Sequence, residues 1–376
     1  MYNFKVGNSM AKADTKLLIM CTLAMLSFGI AGVGIILLMA FMSSLTVAVD
    51  SAAKHGISTS ESSRLGGLAI LIVVMLYVVG LSLFSPYTPG VVRSQLNYYM
   101  WVTIAFCTLL GLVEDFRPDF LTPLFRLAAK FMGFGLFLWY WPEVIPAQMG
   151  VGFIDLMLGN EFVAWSLVTL FCVGFINAFN MADGANGLVP GIGVASFALF
   201  FIHYGRPIEG ALLFALCMFL IFNLISGWFF LGDTGSYGLG AIVALYGIRG
   251  VADGDFSPWL MASLLAYPCI DLIFSILRRL KAGASPFSPD NHHLHNLLHG
   301  YLKSHIRSKV MANSLTGLSI SAATSGLVLL IYIVEWLPPT SGHWLYLFLA
   351  FAAGYCGLYW ALLRNAKSLA NPGQYC

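Results

Sequence analysis

The strongest constraint on the fold is the recurrence of long apolar runs along the 376 residues. A helix needs about 20 such residues to cross the hydrocarbon core of a bilayer, where backbone N–H and C=O groups must be satisfied within the protein itself. Runs of that kind fall near 17–45, 65–85, 96–113, 127–142, 162–179, 187–204, 209–230, 235–249, 256–277, 312–335 and 343–363. They predict an all-α, polytopic integral membrane protein of about eleven transmembrane helices. Charge agrees, because only 10% of residues are charged, against about a quarter in soluble domains. The first run exceeds the about 7–15 apolar residues of a signal peptide, so it is expected to be the first crossing.

An odd number of crossings puts the termini on opposite sides, and the Lys/Arg bias selects which. With the N-terminus outside and the C-terminus cytoplasmic, most basic residues lie inside, among them Lys54, Arg64, Arg126, Lys130, Arg278, Arg279, Lys281 and Lys367. The segment 143–161 carries Glu143, Asp155 and Glu161 and no basic residue, which suits the outside. Lys5, Lys12 and Lys16 run against the assignment, and Arg93, Arg206 and Arg249 stay outside with them. A net charge of +2 with no dense basic run excludes a nucleic-acid partner. The seven cysteines show no CxxC spacing and lie mostly in apolar runs, so they read as core residues, with neither a disulfide frame nor a zinc site. No repeat or linker divides the chain, and 1–376 reads as one domain.

On this topology the polar clusters fall on one face. They are Arg64-Leu-Gly-Gly67, Gly111-Leu-Val-Glu-Asp115, the stretch from Asn177 to Gly187, Gly232-Asp-Thr-Gly235 and the His-rich loop after Arg278. Chance would scatter them over both faces, so a single composite site is expected. Asn177, Asn180 and Asp183 suit a hard cation, and Gly184 and Gly187 let backbone approach a phosphate; polar capping of a helix end is the alternative. Glu114 and Asp115 read either as a metal or general-base pair or as an ordinary charged helix end. Asp233 reads as a metal ligand, an N-cap, or both. Asp271, deep in an apolar run, reads as a structural partner or a catalytic group. Asp290, His292, His293, His295 and His299 could serve a diphosphate, zinc, or an interfacial segment.

Together and in this order, the motifs Asn177-Ala-x-Asn-x-x-Asp-Gly-x-Asn-Gly-Leu188, Gly232-Asp-Thr-Gly235 and Ser285-Pro-Phe-Ser-Pro-Asp290 with its histidines are specific. The chain resembles the polyprenyl-phosphate N-acetylhexosamine-1-phosphate transferases over residues 64–298, and is closer to the branch that starts O-antigen with N-acetylglucosamine 1-phosphate. The resemblance implies transfer of a sugar 1-phosphate from a UDP-N-acetylhexosamine to undecaprenyl phosphate, with release of UMP, at the cytoplasmic face of a bacterial inner membrane. It implies Mg²⁺, with Mn²⁺ as an alternative, held by Asp233, Asn180 and Asp183. Asp115, assisted by Glu114, would deprotonate or orient the lipid phosphate, and His293 and His295 would contact the diphosphate. Asn177, Arg126, Lys130, Asp290 and His292 would complete the substrate contacts, and a homodimer is left open.

Four positions depart from the family pattern, namely Glu114, Asn186, Asn291 and Asn296, and they bear on the sugar more than on the reaction. The competing classes are a secondary transporter built around Asp271 and the glycine-rich helices, and a silent homologue that only binds the lipid phosphate.

Overall fold

The computed structural model describes residues 2–45, 47–50, 62–84, 96–285 and 291–370. Lys54, Arg93 and Asp290 lie outside them. The helices are α1 (Tyr2–Ser44), α2 (Gly66–Phe84), α3 (Tyr98–Phe116), α4 (Pro123–Tyr140), α5 (Gly152–Leu158), α6 (Glu161–Ala182), α7 (Leu188–Tyr204) and α8 (Pro207–Ser226). They continue as α9 (Gly232–Ala252), α10 (Pro258–Leu264), α11 (Ala266–Lys281), α12 (Leu294–His305), α13 (Lys309–Ser321), α14 (Leu327–Ile333) and α15 (Trp344–Ala370). Two two-residue strands, β1 (Val49–Asp50) and β2 (Ser62–Ser63), pair antiparallel.

The helix boundaries follow local chemistry. Asn97, Thr122, Asn160 and Ser308 each accept a hydrogen bond from a first-turn N–H of the helix they precede. Pro123, Pro207 and Pro258 open helices where no N–H is needed. Gly205 and Gly227 close α7 and α8 in the left-handed region at φ 64° and 68°.

All eleven predicted runs contain helix. Six described stretches are long and apolar enough to cross a membrane by length and composition, the first of them Asp14–Ser44 in α1, and a seventh joins them if α10 and α11, bent by 81°, form one span. Apolar side chains such as Leu76, Leu124, Trp139, Phe162 and Leu330 point outward, as lipid contact requires. Glycine-rich α9 packs against α2, α3, α6 and α7. Its neighbours shield it from lipid, so it does not need an apolar surface of its own, and nearly all its residues are buried.

The first run corrects the expectation of one straight helix. Gly29 has φ 64° and ψ −154°, and α1 breaks there. A Cβ on Gly32 would lie 2.8 Å from the carbonyl oxygen of Ala24, whereas residues eight apart in one helix are separated by about 12 Å along its axis. The chain therefore doubles back. Ala24 faces Gly32, and the buried Met20 and Ile36 occupy the matching positions one turn further down. Lys16 Nζ donates to the Ser226 carbonyl over 3.1 Å at the far end of α8, while Phe28 packs against Phe214 midway along it with centroids 5.1 Å apart. The second arm ends near β1, whose partner β2 bridges to Phe229. Both arms thus begin and end at the same end of α8. Each arm spans roughly 22 Å of rise, short of the roughly 30 Å hydrocarbon core. The run at 17–45 is a hairpin, not a single crossing, and Lys16 stands at the same end as Arg64.

Candidate active site

At that end of the bundle the five polar clusters meet. The segment after β2 runs beside the entry to α9: Gly66 N donates to Phe230 O at 2.9 Å and Gly67 N to Leu231 O at 2.7 Å. The approach is close enough that a Cβ on Gly67 would lie 2.1 Å from Gly235 N. From α3, the Asp115 carboxylate accepts from Asp233 N at 2.9 Å, Thr234 N at 2.8 Å and the Thr234 hydroxyl at 2.6 Å. Leu231, which precedes α9, offers no side-chain cap. Asp115 supplies that cap from another helix, satisfying N–H groups that a helix start leaves orphaned. At 1% exposure it is turned into the protein and holds the α9 entry, and with it Asp233. Both oxygens of Asp115, the residue expected to act on the lipid phosphate, accept from the start of α9.

Asp233 is half-buried between opposite influences. Asn180 Nδ2 donates to its Oδ1 at 2.6 Å and to Ser236 Oγ at 2.8 Å. Arg126 Nη1 lies 3.7 Å from Asp233 Oδ2 and 3.2 Å from Glu114 Oε1. Glu114 Oε1 also accepts from Asp119 N at 3.0 Å. Lys130, 1% exposed, donates to Asn177 Oδ1 and lies 4.0 Å from the Tyr237 ring centroid. Lys130 is thus taken up by Asn177 and Tyr237, whereas Arg126 reaches the carboxylates of Glu114 and Asp233.

Asp183 follows α6 directly, and Gly184 leaves room beside it. Burial, with the Asp233 and Asp115 charges nearby, pushes the Asp183 carboxyl up to about 8. Carboxylates crowded in this way favour a bound cation. Among the described residues no three His, Cys, Asp or Glu side chains form a closed metal cluster. Two carboxylates and the Asn180 amide oxygen still fit Mg²⁺, a hard ion that usually keeps several waters and takes its remaining oxygens from substrate phosphates.

The histidines arrive from the other side. His293 precedes α12 and His295 lies in its first turn, with rings stacked at 5.4 Å and 6°. A Cβ on Gly184 would lie 2.3 Å from His295 Nε2, so that imidazole edge rests on the Asp183-Gly184 turn. Burial lowers His295 to about 4, keeping it neutral at ordinary pH. His293 Nδ1 lies 2.6 Å from Asp271 Oδ2, and His295 Nδ1 lies 2.7 Å from the Tyr267 hydroxyl. His292 is exposed, and its carbonyl accepts from Arg278. Asp290 falls outside the described residues.

Asn186 sits apart, in a knot that joins α7, α8 and α13. Its N–H donates to Asn313 Oδ1 and its Nδ2 to Ser314 Oγ, both at 3.3 Å, while Gly187 N donates to Asn223 Oδ1 at 2.7 Å. Sequence reasoning missed Thr234, Ser236, Tyr237, Tyr267 and Tyr355, common residue types whose partners lie far along the chain.

Ala at position 184 tests the histidine contact. Because Tyr267 and the stack on His293 restrain the His295 ring, Gly184→Ala is expected to displace it and cut kcat by about a hundredfold. The fold should survive, since only an imidazole tip has to move. Steady-state kinetics beside a thermal unfolding curve distinguishes this from a folding defect.

Residues 97–251 match the family described as glycosyl transferase family 4. That segment runs from the start of α3 to the end of α9 and holds Glu114, Asp115, Arg126, Lys130, Asn177, Asn180, Asp183 and Asp233, but not the histidines. The chain is 28% identical over 305 residues to a decaprenyl-phosphate N-acetylglucosaminephosphotransferase of Mycobacterium leprae, covering 72% of this chain and 75% of the relative. It is 27% identical over 291 residues to a probable undecaprenyl-phosphate N-acetylglucosaminyl 1-phosphate transferase of Bacillus subtilis, covering 73% and 76%. Over 129 residues it is 36% identical to an undecaprenyl-phosphate alpha-N-acetylglucosaminyl 1-phosphate transferase of Thermotoga maritima, covering 34% and 40%. These likenesses bear out the resemblance read from the motifs.

Proposed function

We propose that this chain, a member of glycosyl transferase family 4 through its residues 97–251, transfers N-acetylglucosamine 1-phosphate from UDP-N-acetylglucosamine to undecaprenyl phosphate. The observation that carries the reading is the convergence of Asp183, Asp233, Arg126 and two buried histidines at one end of a membrane bundle. A lipid phosphate must reach such a site from the bilayer and a nucleotide from water, and a helix-end position suits both. Initiation of O-antigen or a related envelope glycan is the proposed pathway.

In the reaction a lipid phosphate oxygen attacks the β-phosphorus of the UDP-sugar, the β-phosphorus to bridging-oxygen bond breaks, and UMP leaves with that electron pair. A phosphate monoester has a second pKa of about 6, so near neutrality its attacking oxygen is already deprotonated. The site therefore needs charge neutralisation and alignment more than a base. Asp233, Asp183 and the Asn180 amide oxygen would hold Mg²⁺, which when bound neutralises diphosphate charge. Arg126 offers a guanidinium to the phosphates from its place beside Asp233. His295 Nε2 lies beside the same turn, positioned to donate to a phosphate oxygen. Asp115 keeps Asp233 in register by capping α9.

For orientation, the proposal is a bacterial inner membrane with both the site and the N-terminus cytoplasmic. Lys12 and Lys16 then join Arg64, Arg126, Arg278 and Arg279 on the basic side, as the positive-inside rule favours. A protease site fused ahead of residue 1 is expected to be cut in inside-out vesicles and protected in intact spheroplasts. Cleavage in spheroplasts alone would restore the outside placement.

The reaction itself is tested with purified protein and a panel of UDP-sugars. UMP is expected from UDP-N-acetylglucosamine, with slower release from its epimers. Release from no member of the panel would defeat the proposal.

A further inference from the structure

Asp271 lies in α11 and is 2% exposed. A buried carboxylate is costly unless its oxygens are filled, and here they are. Oδ1 accepts from the Tyr355 hydroxyl at 2.7 Å and from Leu294 N at 3.3 Å. Oδ2 faces His293 Nδ1 at 2.6 Å. A carboxylate accepts and cannot donate, so the proton between them is on His293 Nδ1. The second imidazole is held differently. Tyr267 OH accepts from the His295 backbone N–H at 3.2 Å, and its single proton is left for His295 Nδ1 at 2.7 Å. His295 Nδ1 is then the acceptor, and the ring proton resides on Nε2.

We infer that Asp271 and Tyr267 are positioning residues that sort two stacked histidines into different donors. Asp271 fixes His293 as the Nδ1–H ring; Tyr267 fixes His295 as the Nε2–H tautomer resting on the Asp183-Gly184 turn. The assignment rests on the reading of the histidines as diphosphate contacts. The two stacked rings, 5.4 Å apart, are thereby held in opposite tautomers. Tyr355 extends the arrangement to α15, so the last described helix buttresses a site at which it presents no reacting group.

Nitrogen-15 NMR of the full-length protein, labelled at histidine and held in detergent, reads the tautomers without substrate. His295 is expected to show an unprotonated Nδ1 and His293 a protonated one. The reverse pattern, or identical forms for both, would overturn the assignment. Asp271→Asn is expected to alter the His293 signals and leave those of His295, and Tyr267→Phe the opposite. In assays with UDP-N-acetylglucosamine and undecaprenyl phosphate, Asp271→Asn should lower kcat about thirtyfold, with KM for the nucleotide sugar within about twofold; Asp271→Glu should regain part of the loss. Unchanged kcat in a folded Asp271→Asn protein would refute the positioning role. Wild-type protein that shows the expected tautomers yet turns over no UDP-sugar would fault the transferase reading alone.

Discussion

Asp233→Asn is expected to lower kcat by a hundredfold to a thousandfold, about the loss seen when one preorganised electrostatic group is removed from a reacting site. The replacement keeps size and shape, so Asn180 and Ser236 can retain their geometry and the protein should express and unfold like the wild type. Only the charge is lost. That charge lies 3.7 Å from Arg126 and within the field that raises Asp183, so removing it weakens any cation site and unbalances the guanidinium together. Activity titrated with MgCl₂ should show a much higher half-saturating concentration for the variant, and chelation should silence the wild type. A variant with wild-type turnover and unchanged metal response would remove Asp233 from the site.

Gly111→Ala carries the second large effect, and it acts through packing. The new Cβ would lie 2.2 Å from Asp233 O, 2.4 Å from Asp233 C and 2.6 Å from Thr234 N. All three are backbone atoms at the start of α9, which cannot rotate aside as a side chain can. Helix α3 must therefore move away from α9, and Asp115 loses its three hydrogen bonds at the same stroke. Overpacking of this kind costs about 3 kcal/mol, and the displaced Asp233 should cost activity in whatever protein remains folded. Gly80→Ala on α2, where nothing lies within 4 Å of the new Cβ, provides the control and should be silent. Thermal unfolding in detergent, read with turnover, checks both. Equal stability of the two variants would contradict the close approach of α3 and α9.

The sequence made the site legible because polar residues are scarce in it. Glu114, Asp115, Asn180, Asp183 and Asp233 stand out against apolar runs, and assigning alternate loops to alternate faces was enough to bring them together. Their roles were less legible. Asp115 and Asp233 look alike in sequence, yet one caps a helix and the other faces Arg126. The distinction depends on N–H groups of Gly232-Asp-Thr that only become orphaned when α9 starts there. Asp271 could not be paired in advance, since His293 and Tyr355 are remote in sequence. Gly111 and Gly184 gave no local sign that another backbone or ring would press on them.

The fold class followed from the apolar periodicity, but the hairpin at Gly29 did not. The run 17–45 is apolar throughout and contains Gly29, Gly32 and Gly34. Nothing in it shows which glycine takes a positive φ, or that Ala24 and Gly32 are small so that two arms can touch. The N-terminal lysines were the one signal in the sequence against an outside N-terminus.

The most direct test of the central claim is the fate of the nucleotide. Purified protein with undecaprenyl phosphate, MgCl₂ and UDP-N-acetylglucosamine labelled in both sugar and uridine is predicted to release uridine label as UMP. Sugar label should move in equal amount to a lipid diphosphate. Release of UDP with sugar on a lipid monophosphate, or no lipid-linked sugar at all, would contradict it.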